Sequence, residues 1–512
     1  MSRGNNTISS QHNDIQGNDE LIRTYSDSLE HNISHDDSLL GVFYGIGMNV
    51  NNVLGSGIVT TPGIIWKSVK SPVIVLILWF IGGLVSMAGS LSYVELGAMH
   101  KISGGETKYL QTAYPKPKLM MSYLFSFMFI FAIRPGIISA VLQSAAQYFW
   151  YTITGSSLEK VGDKNGWELG FAPFWSIKLI AIIILFIITV YHMLSNRWAS
   201  YINQTLAIIK FSTYLTIAIV GISRLFLDRE KSLSNWQVPL EGDTNIAAYS
   251  SSVLLIMFAY NGWNNLNYSL DEFKNPEKKL IFSNSISVGI VSIMYLLVNV
   301  AFITVVPKVD VDNETTNETI AASFFSQLFK SEIVVRIFTL LIVLSVIGTA
   351  ASTVWSGSRV IVAAARSNFF PVYSDQLKTW HEDYNTPVNA LLAQFIWCSL
   401  IILFVGSSFK ITSFQLFSKF AMYSFWIFYL ATGVGLLVLR HKRPDKHRPF
   451  KVCYGFLFIA LMLWYILYYN WETEKGNELK DEEDETQMKG AEKEDHTEPE
   501  NIKFYAGPSR SK

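Results

Sequence analysis

The stretch VFYGIGMNVNNVLGSGIVTTPGIIW, residues 42–66, is apolar enough to cross a membrane, yet its centre is a poor helix former. Apolar runs of this length are too long for ordinary core helices and indicate membrane spans. The cluster Gly55-Ser56-Gly57, with Pro62 beyond it, disfavours a continuous helix. At 1.5 Å per residue, Gly55 lies about 20 Å from the start of the span, near mid-membrane. The sequence therefore predicts a transmembrane helix that is interrupted near its middle.

A second apolar stretch, IAAYSSSVLLIMFAYNGWNNLNYSL at residues 246–270, has a similar weak point at Asn261-Gly262. Phe258 lies about 18 Å from the start of this span, again near mid-membrane. Two interrupted helices at matching depth, five spans apart, indicate inverted repeats with a binding site between them.

The backbone chemistry of the two breaks predicts what binds there. Unwound backbone inside a membrane is tolerated only around a cavity or a ligand. The helix that begins after Gly57 would direct free N–H groups and its positive dipole end at a carboxylate. The helix that ends near Phe258–Tyr260 would offer free carbonyl groups to an ammonium group. Together they would bind a zwitterion without a charged side chain. Small residues also serve close helix packing, which stays an alternative for either break taken alone.

The rest of the chain divides into further membrane spans and two polar tails. Half of the 512 residues are hydrophobic and 16% are charged, whereas soluble chains usually carry about 25% charged residues. Residues 1–40 and the acidic segment 471–512 are predicted to be disordered tails that flank a transmembrane domain at 41–470. Eleven spans are predicted at 42–66, 73–98, 119–150, 175–194, 202–226, 246–270, 280–306, 332–365, 388–406, 412–439 and 451–470.

Lysine and arginine residues indicate the orientation of these spans. The loops that follow even-numbered spans are basic, above all RHKRPDKHRPFK after span 10, which places them and the N-terminus in the cytosol. The glycosylation sequons at Asn313 and Asn317 then lie outside the cell. An odd number of spans would leave the acidic C-terminal tail outside.

Several classes of function are disfavoured. The only cysteines, Cys398 and Cys453, lie in or beside apolar runs, so neither a disulfide framework nor a zinc site is expected. No hydrolase, metalloprotease or phosphate-binding motif occurs, so an enzyme is poorly supported. We expect no cofactor, no metal and no nucleic-acid partner. The first forty residues are polar and lack a cleavable signal.

Several stretches of the sequence resemble a known family, the amino acid–polyamine–organocation superfamily. Within it they resemble the L-type amino acid transporter branch, which includes fungal methionine permeases. The stretches that carry the resemblance are GSGIVTTPG (55–63), SYVELGA…SGGETKYL (92–110), IRPGIISAVLQSAAQYF (133–149), FAYNGWNNLNYSLDEFKNPEKKL (258–280), SGSRVIVAAARSNFFP (356–371), TPVNALLAQ (386–394) and RPFKV (448–452). The resemblance implies an all-α, five-plus-five inverted-repeat bundle with broken helices 1 and 6. Its repeats would span about 42–226 and 246–439, with 451–470 as an additional span.

The resemblance also implies roles for single residues. Phe258 would be an aromatic gate that closes over bound substrate. The substrate site would comprise a carboxylate side at Gly55, Ser56 and Gly57, an ammonium side at Phe258, Ala259 and Tyr260, and the adjacent residues Ile58 and Asn261.

Some positions depart from the family pattern. The external loop after span 3 lacks the cysteine with which the animal branch bonds a partner glycoprotein, so no disulfide-linked heavy chain is expected. Asn261 stands where relatives often have Gly, Ser or Asp. Arg366-Ser367-Asn368 stands where Arg-Glu-Gly is common. The family usually has twelve spans, and eleven are predicted here.

One lysine lies deep in a predicted span. Lys210 is about 12 Å from the cytosolic start of span 5, and intramembrane lysines are costly and often functional; a snorkelling side chain is the alternative. By resemblance, Lys210 matches a family lysine near the space where sodium-coupled relatives hold an ion, where it could replace sodium and exchange protons. Arg134, Glu95 and Arg359 are interpreted as structural or gate-pairing groups, and Arg336 as a snorkelling residue.

The sequence therefore favours a plasma-membrane permease for neutral L-amino acids. Methionine or another large apolar amino acid is the best candidate substrate, with sodium-independent uptake driven by protons or by exchange of internal amino acids. The alternative is a non-transporting amino acid receptor on the same fold. Such sensors tend to have long cytosolic tails, and the N-terminal tail here is only about forty residues by the span assignment.

Overall fold

The computed structural model describes residues 42–453 with internal gaps, and its secondary structure is almost entirely helical. The predicted tails, and the eleventh predicted span from residue 454 onward, lie outside the described residues. The internal gaps are residues 101–102, 118, 156–159, 162–167, 170, 238–241, 243–245, 269, 271–275, 314–317, 367–368, 406–412, 445–447 and 449.

The helices are numbered here in chain order. They are α1 Val42–Val53, α2 Gly57–Val69, α3 Pro72–His100, α4 Glu106–Ala113, α5 Met120–Met128, α6 Arg134–Thr154, α7 Phe171–Leu194, α8 Asn196–Leu227, α9 Arg229–Leu233, α10 Ile246–Ala259, α11 Pro276–Val305, α12 Lys308–Asn313, α13 Ile320–Leu328, α14 Glu332–Arg366, α15 Ser374–Leu377, α16 Val388–Phe404 and α17 Ser413–Lys442. A π-helix, Phe129–Ile133, joins α5 to α6, and 3-10 turns lie at Ser234–Trp236 and Asn265–Tyr268. A two-stranded antiparallel ladder pairs β1 Lys160–Val161 with β2 Glu168–Leu169.

The long helices match the predicted membrane spans. Seven segments of the described chain are long and apolar enough to cross a membrane, and α10 and α16 are shorter apolar helices. Phe186 and Ile187 of α7 are 55% and 58% exposed, which suits a surface that faces lipid. Predicted spans 1–10 all coincide with described helices. The protein is therefore an all-α, multi-pass membrane protein, as predicted.

Both predicted interruptions are present. In span 1 the backbone bends between α1 and α2, over residues 54–56. In span 6, α10 ends at Ala259 and is followed by turns and the 3-10 segment. Helix α2 packs against α10, whereas α1 packs against α11, α8 and α14. The two breaks are thus held inside the bundle, while the inverted symmetry of its two halves stays a prediction.

A buried carboxylate ties two helix ends together away from the breaks. Glu95, fully buried near the end of α3, accepts hydrogen bonds from Arg440 Nε at 2.9 Å, from Arg440 Nη2 and from the Val452 amide at 2.8 Å. Arg448 lies 3.7 Å from the same carboxylate. Glu95 therefore holds α3 to the end of α17, in agreement with a structural role.

Arg359 and Arg336 also have local partners. The guanidinium of Arg359 lies 3.6 Å from the Trp355 ring centroid and donates to Asn196 Oδ1 at 3.2 Å. Arg336 forms an exposed ion pair with Glu332 at 2.6 Å. The contacts of Arg359 suit a structural group, whereas the snorkelling role of Arg336 stays a prediction.

Candidate functional site

A small cavity lies between the two breaks. Its volume of about 20 Å³ holds little more than one water molecule, so the helices must move apart to admit a larger ligand. Its lining comes from spans 1, 3, 6 and 8: Asn52, Val53, Gly55, Ser56, Gly57, Arg134, Ile137, Val141, Phe258, Ala259, Asn261, Gly262, Thr349 and Thr353.

Six of the eight residues assigned to the substrate site line this cavity. Ile58 and Tyr260 do not. The Tyr260 hydroxyl donates to the Trp79 carbonyl at 3.1 Å, and the Tyr260 ring packs 4.8 Å from that of Tyr295. Ile58 is fully buried in the surrounding core. The two residues flank the breaks without facing the space between them.

The start of α2 supplies unpaired hydrogen-bond donors. The first intrahelical bonds run from the amides of Val59 and Thr60 to the Ser56 carbonyl, at 3.2 and 2.9 Å. Within the described part of the chain, no acceptor faces the amides of Ser56 and Gly57, and the Ser56 side chain forms no cap. These amides, at the positive end of the helix dipole, favour an anionic group in the cavity.

The same glycines bring the helices close together. A Cβ atom on Gly57 would lie 2.3 Å from the Cα of Ala259, and one on Gly55 would lie 2.7 Å from the Thr349 side chain. The alternative explanation of these glycines, close helix packing, is thus correct in part. Gly57 provides both the close packing contact and one of the unpaired amides, so the two explanations do not exclude each other.

The carbonyl groups at the end of α10 are partly engaged. The Phe258 carbonyl accepts from the Asn261 amide at 3.2 Å, and the Ala259 carbonyl accepts from the Tyr295 hydroxyl at 2.7 Å. A carbonyl oxygen has two lone pairs and can accept a second hydrogen bond. An ammonium group could therefore bind beside these partners.

Tyrosine hydroxyls, which no sequence motif indicated, hold the unwound backbone. The Tyr295 hydroxyl lies 2.5 Å from the Val53 carbonyl as well as 2.7 Å from that of Ala259, so it lies between the two breaks. The Tyr214 hydroxyl donates to the Gly55 carbonyl at 3.2 Å. A buried tyrosine hydroxyl usually needs a hydrogen-bond partner. A tyrosine in an apolar span therefore indicates such a contact, but the sequence does not identify the acceptor.

An asparagine joins the breaks on a second side. Asn52 Nδ2 donates to the Gly262 carbonyl at 3.2 Å, and Asn52 Oδ1 accepts from Thr353 at 3.3 Å. Gly262 has a φ of +115°, and a Cβ atom there would lie 1.8 Å from Asn52 Nδ2. Glycine is therefore required at this position both for its conformation and for space.

Lys210 reaches the edge of the site. Its side chain is fully buried, and its Nζ donates to the Asn51 carbonyl at 2.5 Å and to Thr349 Oγ1 at 2.6 Å. Thr349 itself lines the cavity. Lys210 thus lies inside the bundle beside the break of span 1 and does not snorkel.

Two further ionisable side chains, Arg134 and Glu106, are buried at or near the cavity. Arg134 lines the cavity, with its guanidinium 4.6 Å from the Phe129 ring centroid and 3.5 Å from Asn265 Oδ1. Glu106 in the connecting helix α4 is fully buried, and its Oε1 accepts from Asn264 at 2.6 Å. Burial raises the pKa of Glu106 above its ordinary value of 4.5. No sequence motif indicated a role for Glu106.

The comparison with known families agrees with this architecture. Residues 40–479 match the amino acid permease family. The chain belongs to that family. The matched region contains both breaks and the whole cavity lining, so the permease fold covers the candidate site. The predicted membership of the L-type branch of the superfamily is confirmed, whereas the narrower likeness to fungal methionine permeases stays a prediction.

Several curated transporters are similar to this permease. The Mus musculus b(0,+)-type amino acid transporter 1 is 29% identical over 427 residues, 83% of this chain and 80% of the relative. The Homo sapiens large neutral amino acids transporter small subunit 2 is 26% identical over 434 residues, 84% and 74% of the two chains. The Homo sapiens cystine/glutamate transporter is 28% identical over 411 residues, 80% and 75% of the two chains. These relatives are transporters, which points to a permease that transports amino acids and is not an enzyme.

Proposed function

We propose that this permease carries neutral L-amino acids across the plasma membrane by alternating access, with methionine or another large apolar amino acid as substrate. The observation that carries the proposal is the opposition of unpaired amides at Ser56 and Gly57 to the carbonyl groups of Phe258 and Ala259 across one buried cavity. A zwitterion fits this pairing, because its carboxylate would accept from the amides and its ammonium would donate to the carbonyls.

The choice of a neutral side chain rests on the rest of the lining. Ile137, Val141 and Phe258 form an apolar part of the cavity. No carboxylate lines it among the described residues. Arg134, the one cation among the described lining residues, already contacts Phe129 and Asn265. Burial of an apolar side chain in such a site contributes roughly 25 cal/mol per Å² of apolar area.

Sodium-independent uptake is the second part of the proposal, and it rests on Lys210. A sodium ion needs oxygen ligands, and two oxygens beside the break in span 1, the Asn51 carbonyl and Thr349 Oγ1, accept from the Lys210 ammonium. A sodium ion beside that ammonium would be repelled strongly at low dielectric. We therefore assign coupling to protonation of Lys210, with exchange of internal amino acids as the alternative.

The proposal also includes the orientation of the chain in the membrane and the expectation that no heavy chain is bound through a disulfide. We place the N-terminus in the cytosol, since the basic loops then all lie inside. We expect no disulfide-linked heavy chain, because Cys398 is buried in α16 and the exposed Cys453 follows the basic segment after span 10, on the predicted cytosolic side. Antibody labelling of intact cells tests the orientation. An epitope before residue 30 should be hidden and, with eleven spans, one after residue 490 should be accessible.

Radiolabelled uptake in cells that lack their own amino acid permeases tests the function. Expression of the permease should give saturable methionine uptake that other large apolar amino acids inhibit and that glutamate does not. The Gly57→Leu protein should reach the surface without giving uptake. Binding of methionine by the purified protein without any uptake would favour a receptor and would contradict the proposed function.

A further inference from the structure

A second cavity, of about 300 Å³, lies beside the substrate site between spans 3, 8 and 9. It is far larger than the central cavity and is mostly apolar. Its walls include the aromatic residues Phe129, Phe131, Phe370 and Trp397, together with Ile361. The substrate site does not use this space, although Arg134 lines both cavities.

Among the described residues, one polar side chain of this cavity lacks a hydrogen-bond partner. Gln394 of α16 is only 5% exposed, and neither its Nε2 nor its Oε1 has a hydrogen-bond partner within the described part of the chain. Buried amides are normally paired, so an unpaired one points to a group that the protein alone does not supply. Gly357 of α14 makes room for this amide, because a Cβ atom there would lie 2.5 Å from Gln394 Nε2.

The cavity faces the bilayer in the predicted cytosolic half of the protein. Ile396 and Trp397, which line it, are 51% and 40% exposed on a membrane-spanning helix. Gln394 lies six residues after the start of α16 at Val388, about 9 Å along the helix axis. A molecule dissolved in the inner leaflet could therefore enter the cavity without crossing water.

The wall of this cavity also contains the π-helix Phe129–Ile133. Trp397 Nε1 donates to the Phe131 carbonyl at 2.9 Å, and the rings of Trp397 and Phe131 pack edge to face at 5.8 Å. Short π-helical turns are frequent at functional sites. The turn leads directly into Arg134, so a ligand that packs against it would act on a residue of the substrate cavity.

We propose that this cavity binds a membrane sterol, whose single hydroxyl group pairs with the Gln394 amide. A hydroxyl group both donates and accepts, which matches the free Oε1 and Nε2 of Gln394. A carboxylate only accepts and would leave Oε1 unpaired, and a phosphate headgroup would need several donors. The aromatic and aliphatic walls suit a rigid apolar body, which loses little conformational freedom on binding.

Photo-crosslinking tests this proposal independently of transport, so its failure would leave the proposed function untouched. The full-length permease in lipid nanodiscs is labelled with a radioactive sterol that carries a diazirine on its ring system, and the labelled peptides are mapped by mass spectrometry. We expect saturable labelling in the segments of Phe129–Ile133 and α16. Excess unlabelled sterol should suppress it, whereas oleate and diacylglycerol should not.

Two variants and a matched control sharpen the test. Ile361→Trp fills the cavity and should abolish the labelling, while Gln394→Leu should weaken sterol binding up to about tenfold through loss of the hydroxyl partner. Ile183→Trp on the exposed face of α7 is the control and should label normally. If Ile361→Trp fails to fold, Gln394→Leu decides, because it replaces an unpaired amide with an apolar group of similar size. Labelling that is unchanged in Gln394→Leu, not saturable, or equally suppressed by oleate or diacylglycerol would overturn the sterol assignment.

Discussion

Gly57 lies so close to Ala259 that a Cβ atom on Gly57 would come within 2.3 Å of the Ala259 Cα atom. This contact joins the start of α2 to the end of α10, which are the two helix ends that border the substrate cavity. Any side chain at Gly57 must push the breaks apart, because the nearest atoms are the Cα and Cβ of Ala259, and neither can rotate away.

We therefore expect that Gly57→Ala, a change of one methyl group, reduces uptake by at least tenfold at equal surface expression. The measurement is the initial rate of uptake divided by the amount of biotinylated surface protein. Gly289→Ala in α11 is the matched control, because a Cβ atom at Gly289 meets nothing within 4 Å. Uptake by Gly57→Ala at the rate of this control would contradict the assignment of the site.

Phe258 is expected to act in closure more than in binding. Its ring lines the cavity and packs edge to face against Phe414 at 5.5 Å, while the backbone groups of the site do not depend on it. Phe258→Ala should lower turnover about tenfold or more and change substrate affinity only a few-fold. Rates in proteoliposomes and equilibrium binding to purified protein separate the two effects.

Phe324→Ala is the control for the effect of deleting a buried ring. Phe324 is fully buried and packs on Phe302, outside the cavity lining. Both changes should cost roughly 3–5 kcal/mol of stability. Equal turnover in the two variants would make Phe258 a packing residue.

Lys210→Met should slow net uptake by at least tenfold and remove its dependence on external pH. The substitution deletes the donor to the Asn51 carbonyl and Thr349 Oγ1 and with it the group whose protonation is proposed to drive uptake. Lys178→Met is the control, because Lys178 is also a buried lysine in a span and its Nζ donates to the Leu403 carbonyl at 2.8 Å. A pH profile that survives in Lys210→Met would exclude the coupling role.

Glu106 should make the folded protein less stable as pH rises. Burial raises the pKa of Glu106 in the folded state above its ordinary 4.5, so the folded state binds the proton more tightly than the unfolded state. The stabilisation is then present at low pH and is lost as pH rises through the folded-state pKa, by at most about 1.4 kcal/mol per pH unit. Glu106→Gln resembles the protonated acid and should lose this part of the pH dependence of the thermal midpoint. The same slope in both proteins would assign it to other groups.

The sequence predicted the described spans and both breaks because a bilayer imposes strong constraints. Each span must be long and apolar. A Gly-Ser-Gly cluster within a span is costly unless its unpaired backbone groups line a cavity or bind a ligand. The depth of Lys210 followed from the same geometry. The hydrogen-bond acceptors of Lys210 could not be predicted in this way, since Thr349 lies 139 residues away in sequence.

The site was predicted less completely, for two physical reasons. Successive residues on a helix point about 100° apart, so a continuous motif such as 55–58 includes members that face away from the cavity, as Ile58 does. The hydroxyl of Tyr295, which contacts both breaks, comes from a helix 242 residues beyond Val53. No local pattern indicates such a contact.

Uptake into sodium-free proteoliposomes tests the central claim most directly. Purified permease is reconstituted as the only protein, the outside is made acidic and the inside neutral, and radiolabelled methionine is added without any internal amino acid. Methionine should accumulate above its external concentration, and a protonophore should abolish that accumulation. Uptake that occurs only when sodium is added, or methionine binding without any uptake even into liposomes preloaded with amino acids, would contradict the proposal.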